Sequence, residues 1–110
     1  MALLAFGLSW AFAPPLYELD SRWPRSMPSD ARGISAVAVN HTAPGKEIYV
    51  SQRGTIFPQP ILVFDGSGAL LRSWGADSIS NGGKNGTWGG HGINLVGDKV
   101  WVYDIAAGAV

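Results

Sequence analysis

A single histidine between two glycines is the feature of this sequence that most suggests chemistry. His91 lies in the stretch TWGGHGINLVGDKVWVYDI, residues 87–105, with Gly90 and Gly92 on either side. These neighbours give the imidazole little to pack against, so His91 is either a solvated loop residue or is directed at a ligand. A metal site needs several converging side chains, and one histidine alone does not define it. Arg53 follows an apolar run, where an arginine is usually a surface charge.

Other arrangements of reactive side chains are weaker. Cysteine is absent, so the sequence offers no disulfide, thiolate metal site or thiol nucleophile. The segment GGKNGT, residues 82–87, resembles a phosphate loop, but Lys84 precedes Asn85 instead of Ser or Thr and no helical pattern follows. Asp65 and Asp77 are too far apart in sequence to indicate an acid/base pair. The sequence has two histidines, and we find no Ser/His/Asp arrangement typical of a hydrolase around them.

The composition is that of a folded domain with no preference for polyanions. The chain has 110 residues, which allows one domain at most. Hydrophobic residues make up 46% of it, and eight Lys and Arg balance eight Asp and Glu. Because the cations are neither in excess nor clustered, we expect no nucleic-acid partner. Fifteen glycines and seven prolines indicate many tight turns.

Short apolar runs alternate with turn signals from Gly33 onward. ISAVAVN (34–40), EIYVSQ (47–52), ILVF (61–64) and ALLRSW (69–74) predict four strands. The segment DGSG, residues 65–68, gives the clearest hairpin signal, because its glycines can adopt positive φ and Asp65 can serve the turn. No helical period competes with this pattern. We therefore predict an all-β fold.

The strand pattern then partly restarts. VAVNHTAPGKEIYVSQ and INLVGDKVWVYD both indicate a strand, a polar turn and a second strand. The offset from residue 37 to residue 93 is 56 positions, somewhat longer than the ~40–50 residues of a usual propeller blade. This repeat predicts one propeller blade and the start of its neighbour. The proposed correspondences are Val37 with Ile93, Tyr49 with Trp101, and Gln52 with Asp104.

The runs GISAVAVN, EIYVSQRG, PILVFDGSGALLRSWG and GGHGINLVGDKVWVYDI resemble the NHL-repeat β-propellers. More narrowly, they resemble peptidyl-α-hydroxyglycine α-amidating lyase (peptidylamidoglycolate lyase), on Arg53-Gly54 after the second strand and His91-Gly92 opening the next blade. Gln52 stands where such proteins often have a histidine. The resemblance covers residues 33–110, after an N-terminal segment at 1–32. It implies a β-propeller fragment of about two four-stranded blades out of about six, with the remaining blades outside this sequence.

The resemblance also implies a reaction. The lyase cleaves a peptide substrate ending in α-hydroxyglycine into a peptide amide and glyoxylate. Zinc would lower the pKa of the carbinol hydroxyl, and a basic side chain would remove its proton. His91 would be one of the histidines that bind zinc from separate blades on the propeller axis, with its flanking glycines leaving room for the imidazole. Arg53 would be catalytic, stabilising anionic species in the axial cavity.

The same resemblance implies a calcium ion bound partly by main-chain carbonyls, here those of Val37 and Ile93. Alternatively, both are ordinary strand residues. Tyr49 and Tyr103 do not match the tyrosine that serves as base in the lyases, and we expect both to pack within their blades. Asp104 is expected to cap a turn.

A second class of function remains open. The chain would then belong to a non-catalytic NHL propeller, a binding scaffold that kept the blade pattern without the chemistry. In either case, two blades or fewer leave faces uncovered. The isolated chain is therefore expected to be marginally stable and to associate through ILVF and VWVY.

The N-terminal run MALLAFGLSWAFA, residues 1–13, is too short to span a bilayer. It fits the apolar core of a secretory signal, and AFA at residues 11–13 has the form of a cleavage site. However, no Lys or Arg precedes the run, and a buried first strand or the start of a truncated chain is the alternative. Glycosylation sequons at Asn40 and Asn85 favour a secreted protein that is not integral to the membrane.

Expression in a secretory host tests the signal. We expect a product that begins near Pro14 or a few residues beyond, with sugar on Asn40 or Asn85, because the signal peptidase and the glycosylation machinery both act in that pathway. Mass spectrometry of the product measures both changes. An intact, unglycosylated chain recovered from inside the cell would contradict the secretory hypothesis.

Overall fold

The chain forms an all-β structure, seen here in a computed structural model that describes residues 16–42, 44–53, 59–79 and 89–104 and the backbone of 108–109. No helix occurs within these ranges, which confirms the predicted fold class. The strands are β1 (Ile34–Asn40), β2 (Glu47–Gln52), β3 (Ile61–Asp65), β4 (Leu70–Trp74), β5 (Gly90–Val96), β6 (Lys99–Asp104) and β7 (Gly108–Ala109).

The strands form two antiparallel sheets in which each strand pairs with the next along the chain. The first sheet, which we call blade 1, has the order β1-β2-β3-β4, and the second, blade 2, has the order β5-β6-β7. The two sheets contact each other mainly through their first strands, β1 and β5. Up-and-down sheets that meet through their first strands are the arrangement of neighbouring propeller blades. The predicted propeller fragment is confirmed.

The first hairpin of each blade has the same register, including a β-bulge at the same place. Ser35 is the bulge residue in blade 1 and His91 is the bulge residue in blade 2. The matched pairs are Ile34↔Gln52 with Gly90↔Asp104, Ala36↔Ser51 with Gly92↔Tyr103, and Val37↔Val50 with Ile93↔Val102. The repeat inferred from the sequence is therefore a structural repeat, and its three proposed correspondences are confirmed.

The repeat has two offsets because the connections differ in length. Positions on the first strand of each blade, β1 or β5, which we call the inner strand, are related by 56 residues, as from 34 to 90. Positions on the second strand, β2 or β6, are related by 52, as from 52 to 104. Residues 41–46 connect the strands in blade 1, whereas the two residues 97–98 suffice in blade 2. Gly97 has φ 63°, a left-handed conformation that suits so short a connection.

Blade 1 is buried on both faces, and its centre is β3. Residues 61–64 are each 0% exposed. On the face turned toward blade 2, which we call the leading face, Tyr49, Ile61 and Val63 pack with Val102 and Ile79. Because alternate residues of a strand point to opposite faces, β3 needs a different cover on its other face.

That cover is the described part of the N-terminal segment, residues 16–32. The opposite face of blade 1, which we call the trailing face, buries Val50, Leu62 and Phe64. The rings of Trp23 and Phe64 lie 5.5 Å apart between centroids at a tilt of 56°, within the range of favourable aromatic pairs. Further side chains of the segment that pack on this face are Met27 and Ala31.

The predicted DGSG hairpin joins β3 to β4. Asp65 Oδ1 accepts hydrogen bonds from the Ser67 hydroxyl at 2.6 Å, from the Ser67 amide at 2.9 Å and from the Ala69 amide at 3.0 Å. These bonds, above all that from the Ser67 hydroxyl, lower the pKa of the Asp65 carboxyl. Gly68 has φ 91°. Gly66 does not have positive φ, so only one of the two glycines has the predicted role.

Gly68 is also where the N-terminal segment is attached. Its carbonyl accepts the Arg25 amide at 2.7 Å, and the neighbouring Ser67 carbonyl accepts Arg25 Nε at 2.8 Å. A Cβ on Gly68 would lie 2.8 Å from Trp23 Cδ1 and 2.9 Å from the Arg25 nitrogen. The left-handed backbone and the close segment therefore both require glycine here.

The expectation that the chain associates through ILVF, residues 61–64, is wrong. Both faces of this strand are covered within one chain, by blade 2 and by the N-terminal segment. In VWVY, residues 100–103, Trp101 and Tyr103 are half exposed and Val102 is buried.

Two glycine-to-alanine changes separate backbone strain from steric conflict. Gly97→Ala is expected to cost about 1 kcal/mol of unfolding free energy, because its φ is left-handed while nothing lies within 4 Å of the new Cβ. Gly68→Ala adds a collision with Trp23 and Arg25 and should cost about 3 kcal/mol. Urea unfolding measures both values. Equal losses would show that the segment does not pack tightly on this turn.

Candidate functional site

Arg53 directly follows β2 and is held by the start of β1. Its amide donates a hydrogen bond to the Gly33 carbonyl at 2.9 Å. The side chain is partly buried. Gly33 immediately precedes β1, so this hydrogen bond places Arg53 at the end of blade 1 where β1 begins.

His91 is exposed and lies at the bulge of β5, one residue after the strand begins. It is therefore a strand residue, not the loop residue that its glycine neighbours suggest. Gly90 packs closely against blade 1, because a Cβ there would lie 3.1 Å from Ser51 Oγ. A bulge turns an extra side chain out of the regular alternation, which explains why the imidazole is not packed in the sheet.

The structure brings Arg53 and His91 to the same end of the two blades. Gly33, which accepts the Arg53 amide, precedes the bulge residue Ser35 by two positions. The Ser35 hydroxyl donates to the carbonyl of Gly90 at 3.1 Å, and His91 is the next residue. A short path of backbone and hydrogen bonds thus joins the two residues that the sequence singled out.

Val37 and Ile93 occupy equivalent positions, each two residues after the bulge. Val37 is 55% exposed, while Ile93 is partly buried against blade 1. Each belongs to the first strand of its sheet, which has one hydrogen-bonded neighbour. In such an edge strand, alternate carbonyls point away from the ladder, and equivalent positions in the two strands have the same orientation as each other.

Among the residues that the structure describes, no three His, Cys, Asp or Glu side chains lie close enough together to hold a metal ion. His91 could contribute one ligand. Further ligands for a zinc ion would have to come from outside these ranges. The same described portion contains no helix long and apolar enough to cross a membrane.

The polar residues Gln52 and Asp104 are completely buried at equivalent strand ends. Gln52 Nε2 donates to the Gln59 carbonyl at 2.8 Å, and its Oε1 accepts the Arg32 amide at 3.3 Å. Sequence reasoning noted the correspondence of the two residues without predicting this burial. Asp104 is the last residue of β6, and the turn that it was predicted to cap, 105–107, lies outside the described residues.

A charged cluster lies at the opposite end of β2 from Arg53. Arg72 binds both carboxylate oxygens of Glu47, at 2.8 and 3.0 Å, and the Tyr49 hydroxyl donates to Glu47 Oε2 at 2.7 Å. Hydrogen bonds from Arg72 and then Tyr49 lower the pKa of Glu47 to about 2. Burial, followed by the hydrogen bond to Glu47, raises the pKa of Tyr49. Tyr49 is thus held neutral within its blade and is a poor base.

Tyr103 was predicted to pack within its blade, and this prediction is wrong. It is 54% exposed on the face of blade 2 that points away from blade 1, next to Trp101. The equivalent position in blade 1 is Ser51, which is completely buried by blade 2. The difference arises because no described element covers this face of blade 2. His41 is exposed after β1.

Comparison with known proteins supports the repeat class. No protein-family model matches the sequence, and no solved structure matches it significantly. The chain is 30% identical over 108 residues to NHL repeat-containing protein 3 of Mus musculus, an alignment that covers 94% of this chain. The chain spans 28% of the length of that relative. This similarity supports the NHL-repeat family and, with the two sheets, a propeller domain.

The Glu47–Arg72 pair predicts a pH-dependent contribution to stability. The folded-state pKa of Glu47 is lowered from 4.5 to about 2, so its contribution is complete above pH 4.5 and is lost as the pH falls through the folded value. Glu47→Gln should lower the unfolding free energy at pH 7 by about 0.5–1 kcal/mol, the range of a well-formed surface pair. Urea unfolding between pH 7 and pH 2 should show this difference shrinking below pH 4.5.

The control for Glu47→Gln is the same change in an Arg72→Gln background. With the guanidinium removed, the substitution should add little further difference in stability at any pH. A pH-independent loss in both backgrounds would show that Glu47 acts through packing alone.

Proposed function

We propose that these two blades belong to a propeller with peptidylamidoglycolate lyase activity, which releases glyoxylate from a peptidyl α-hydroxyglycine. Because the chain spans 28% of its relative, the activity is proposed for a propeller that includes further blades. The observation that supports it best is the short path from Arg53 through Gly33, Ser35 and Gly90 to His91.

His91 is suited to be one zinc ligand. Its imidazole is exposed at a bulge, beside two glycines that add no side chains. Its position on an inner strand would let histidines from other blades approach the same point, as a site with several ligands needs. Zinc bound there would supply Lewis acidity that lowers the pKa of the substrate hydroxyl.

Arg53 is suited to bind the negative charge of the substrate. The guanidinium remains charged at all relevant pH values and offers a planar fork that matches a carboxylate. Its backbone is fixed to Gly33, which limits how far the side chain can move from the start of β1. In this proposal Arg53 orients the terminal carboxylate and stabilises the anion that develops as the C–N bond breaks.

A structural calcium ion is a further part of the proposal. The carbonyls of Val37 and Ile93 are equivalent by the repeat, and both strands have an open edge. Main-chain oxygens suit a hard cation. The ion would tie the first strands of neighbouring blades together.

Secretion is proposed from the sequons. The Asn40 side chain is partly buried at the end of β1, and its Oδ1 accepts bonds from the Thr42 amide at 3.0 Å and hydroxyl at 2.8 Å. The exposed Thr42 puts this sequon at the surface, which is where attached sugar is tolerated.

Two substitutions in a full propeller containing these blades test the lyase. His91→Ala should reduce zinc affinity by more than about 10²-fold, because a ligand is lost. Arg53→Ala should keep the zinc and reduce glyoxylate release by about 10²–10³-fold, because it removes charge stabilisation from the reaction. Zinc content and glyoxylate formed from an α-hydroxyglycine peptide are measured for each protein and for the parent.

His91→Ser is the discriminating control, because serine is the residue at the equivalent bulge of blade 1. If His91 only contacts a neighbouring blade, serine should preserve stability and change nothing else. If His91 binds zinc, serine should lose the metal as alanine does. A folded parent with no zinc and no glyoxylate release would leave the non-catalytic scaffold as the function.

A further inference from the structure

Exposed apolar side chains in the described strands are concentrated on two surfaces. One is the face of blade 2 that points away from blade 1, its leading face. The other is the inner strip of the trailing face of blade 1, along β1. The exposed side chains are Val96, Trp101 and Tyr103 on the first surface and Ile34, Val37 and Val39 on the second. In these strands, Leu71 is the one exposed large apolar residue outside both surfaces.

The two surfaces are the unpaired halves of an interface that the chain already contains. Ile93 and Leu95, which correspond to Val37 and Val39, pack against blade 1. Tyr49, which corresponds to Trp101, is buried beneath blade 2. Thus the leading face of one blade covers the trailing face of the next, and each open surface repeats one side of that contact.

We propose that copies of this 110-residue chain associate head to tail, with the leading face of blade 2 in one copy packed on the inner strip of blade 1 in another, so that each copy takes the place that a further blade would have in a longer propeller. The contact between copies would reproduce the contact between blades 1 and 2. Because the two surfaces differ, the interface is heterologous, and its repetition gives a ring if the rotation closes and a longer chain if it does not.

Polar contacts give this interface a register. Within the chain, the Ser35 hydroxyl donates to the Gly90 carbonyl at 3.1 Å, and a Cβ on Gly90 would lie 3.1 Å from Ser51 Oγ. By the repeat, Ser35 corresponds to His91, Ser51 to Tyr103 and Gly90 to Ile34. Tyr103 of one copy therefore meets Ile34 of the other.

The described part of the N-terminal segment, residues 16–32, leaves this strip open. It packs on the outer part of the trailing face, where Val50 and Phe64 are buried and Ile48 is partly covered. The inner strand keeps its exposed side chains, and blades 1 and 2 meet mainly through their inner strands. The uncovered strip therefore matches the part of the interface that dominates within the chain.

Charged substitutions on each surface test the association of the 110-residue chain. Sedimentation velocity should show the average mass of the parent rising with concentration. Trp101→Glu and Val37→Glu should each reduce that rise, because each places a charge in an apolar contact. Leu71→Glu, a change of a similarly exposed residue on β4, should leave the association unchanged. Circular dichroism checks that the variants stay folded.

Mixing the two variants tests whether the interface is heterologous. The Trp101→Glu protein retains an intact inner strip, and the Val37→Glu protein retains an intact leading face. An equimolar mixture should therefore form a dimer and no larger species, although either protein alone associates less than the parent. A mixture that remains monomeric would overturn the proposal.

A crosslink tests the register without adding charge, since the chain has no cysteine of its own. The Tyr103→Cys and Ile34→Cys proteins are mixed and oxidised. The disulfide-linked heterodimer should form in excess over the homodimer of either variant. Ser51→Cys with Gly90→Cys in one chain is the matched intramolecular control. A parent that is monomeric at all concentrations would overturn the proposal, as would an equal loss of association in Leu71→Glu.

Discussion

The burial of β3 on both faces is the constraint on which this structure depends. All four residues 61–64 are inaccessible, and a strand in a sheet points its side chains to two opposite sides. One sheet cannot satisfy both sides alone. Blade 2 covers the leading side and the N-terminal segment covers the trailing side, so a sheet that is local in sequence depends on two distant parts of the chain.

The need to bury apolar side chains on both faces also explains why the two blades share a strand register although their sequences differ. A shift by one residue would move every apolar side chain to the wrong face. Ser35 and His91 are chemically different, yet the bulge occurs at the same place in both blades. The connection between the strands faces no such constraint, and it changes length from residues 41–46 to residues 97–98.

The sequence predicted those features that depend on local pattern. Strands β1 and β2 have the bounds read from their apolar runs, and Asp65 serves the hairpin as expected. The cover of the trailing face was not predicted, because Trp23 and Met27 lie among prolines and charges with no period that indicates a partner. Exposure of Tyr103 was missed for a related reason: an aromatic residue in a strand indicates burial on average, whereas its actual burial depends on which neighbour is present.

The bulge position makes a contact between blades in blade 1, and in blade 2 it holds the residue that the lyase proposal assigns to zinc. A bulge on an inner strand offers a side chain that the sheet itself does not need, at the point where neighbouring blades approach. Blade 1 uses that side chain, Ser35, to bind the backbone of blade 2. Blade 2 has an imidazole there instead, one residue after the Gly90 carbonyl that Ser35 binds. A longer side chain can reach past the backbone contact that serine makes, so under the lyase proposal a change at this one repeat position would replace a contact between blades with a zinc ligand.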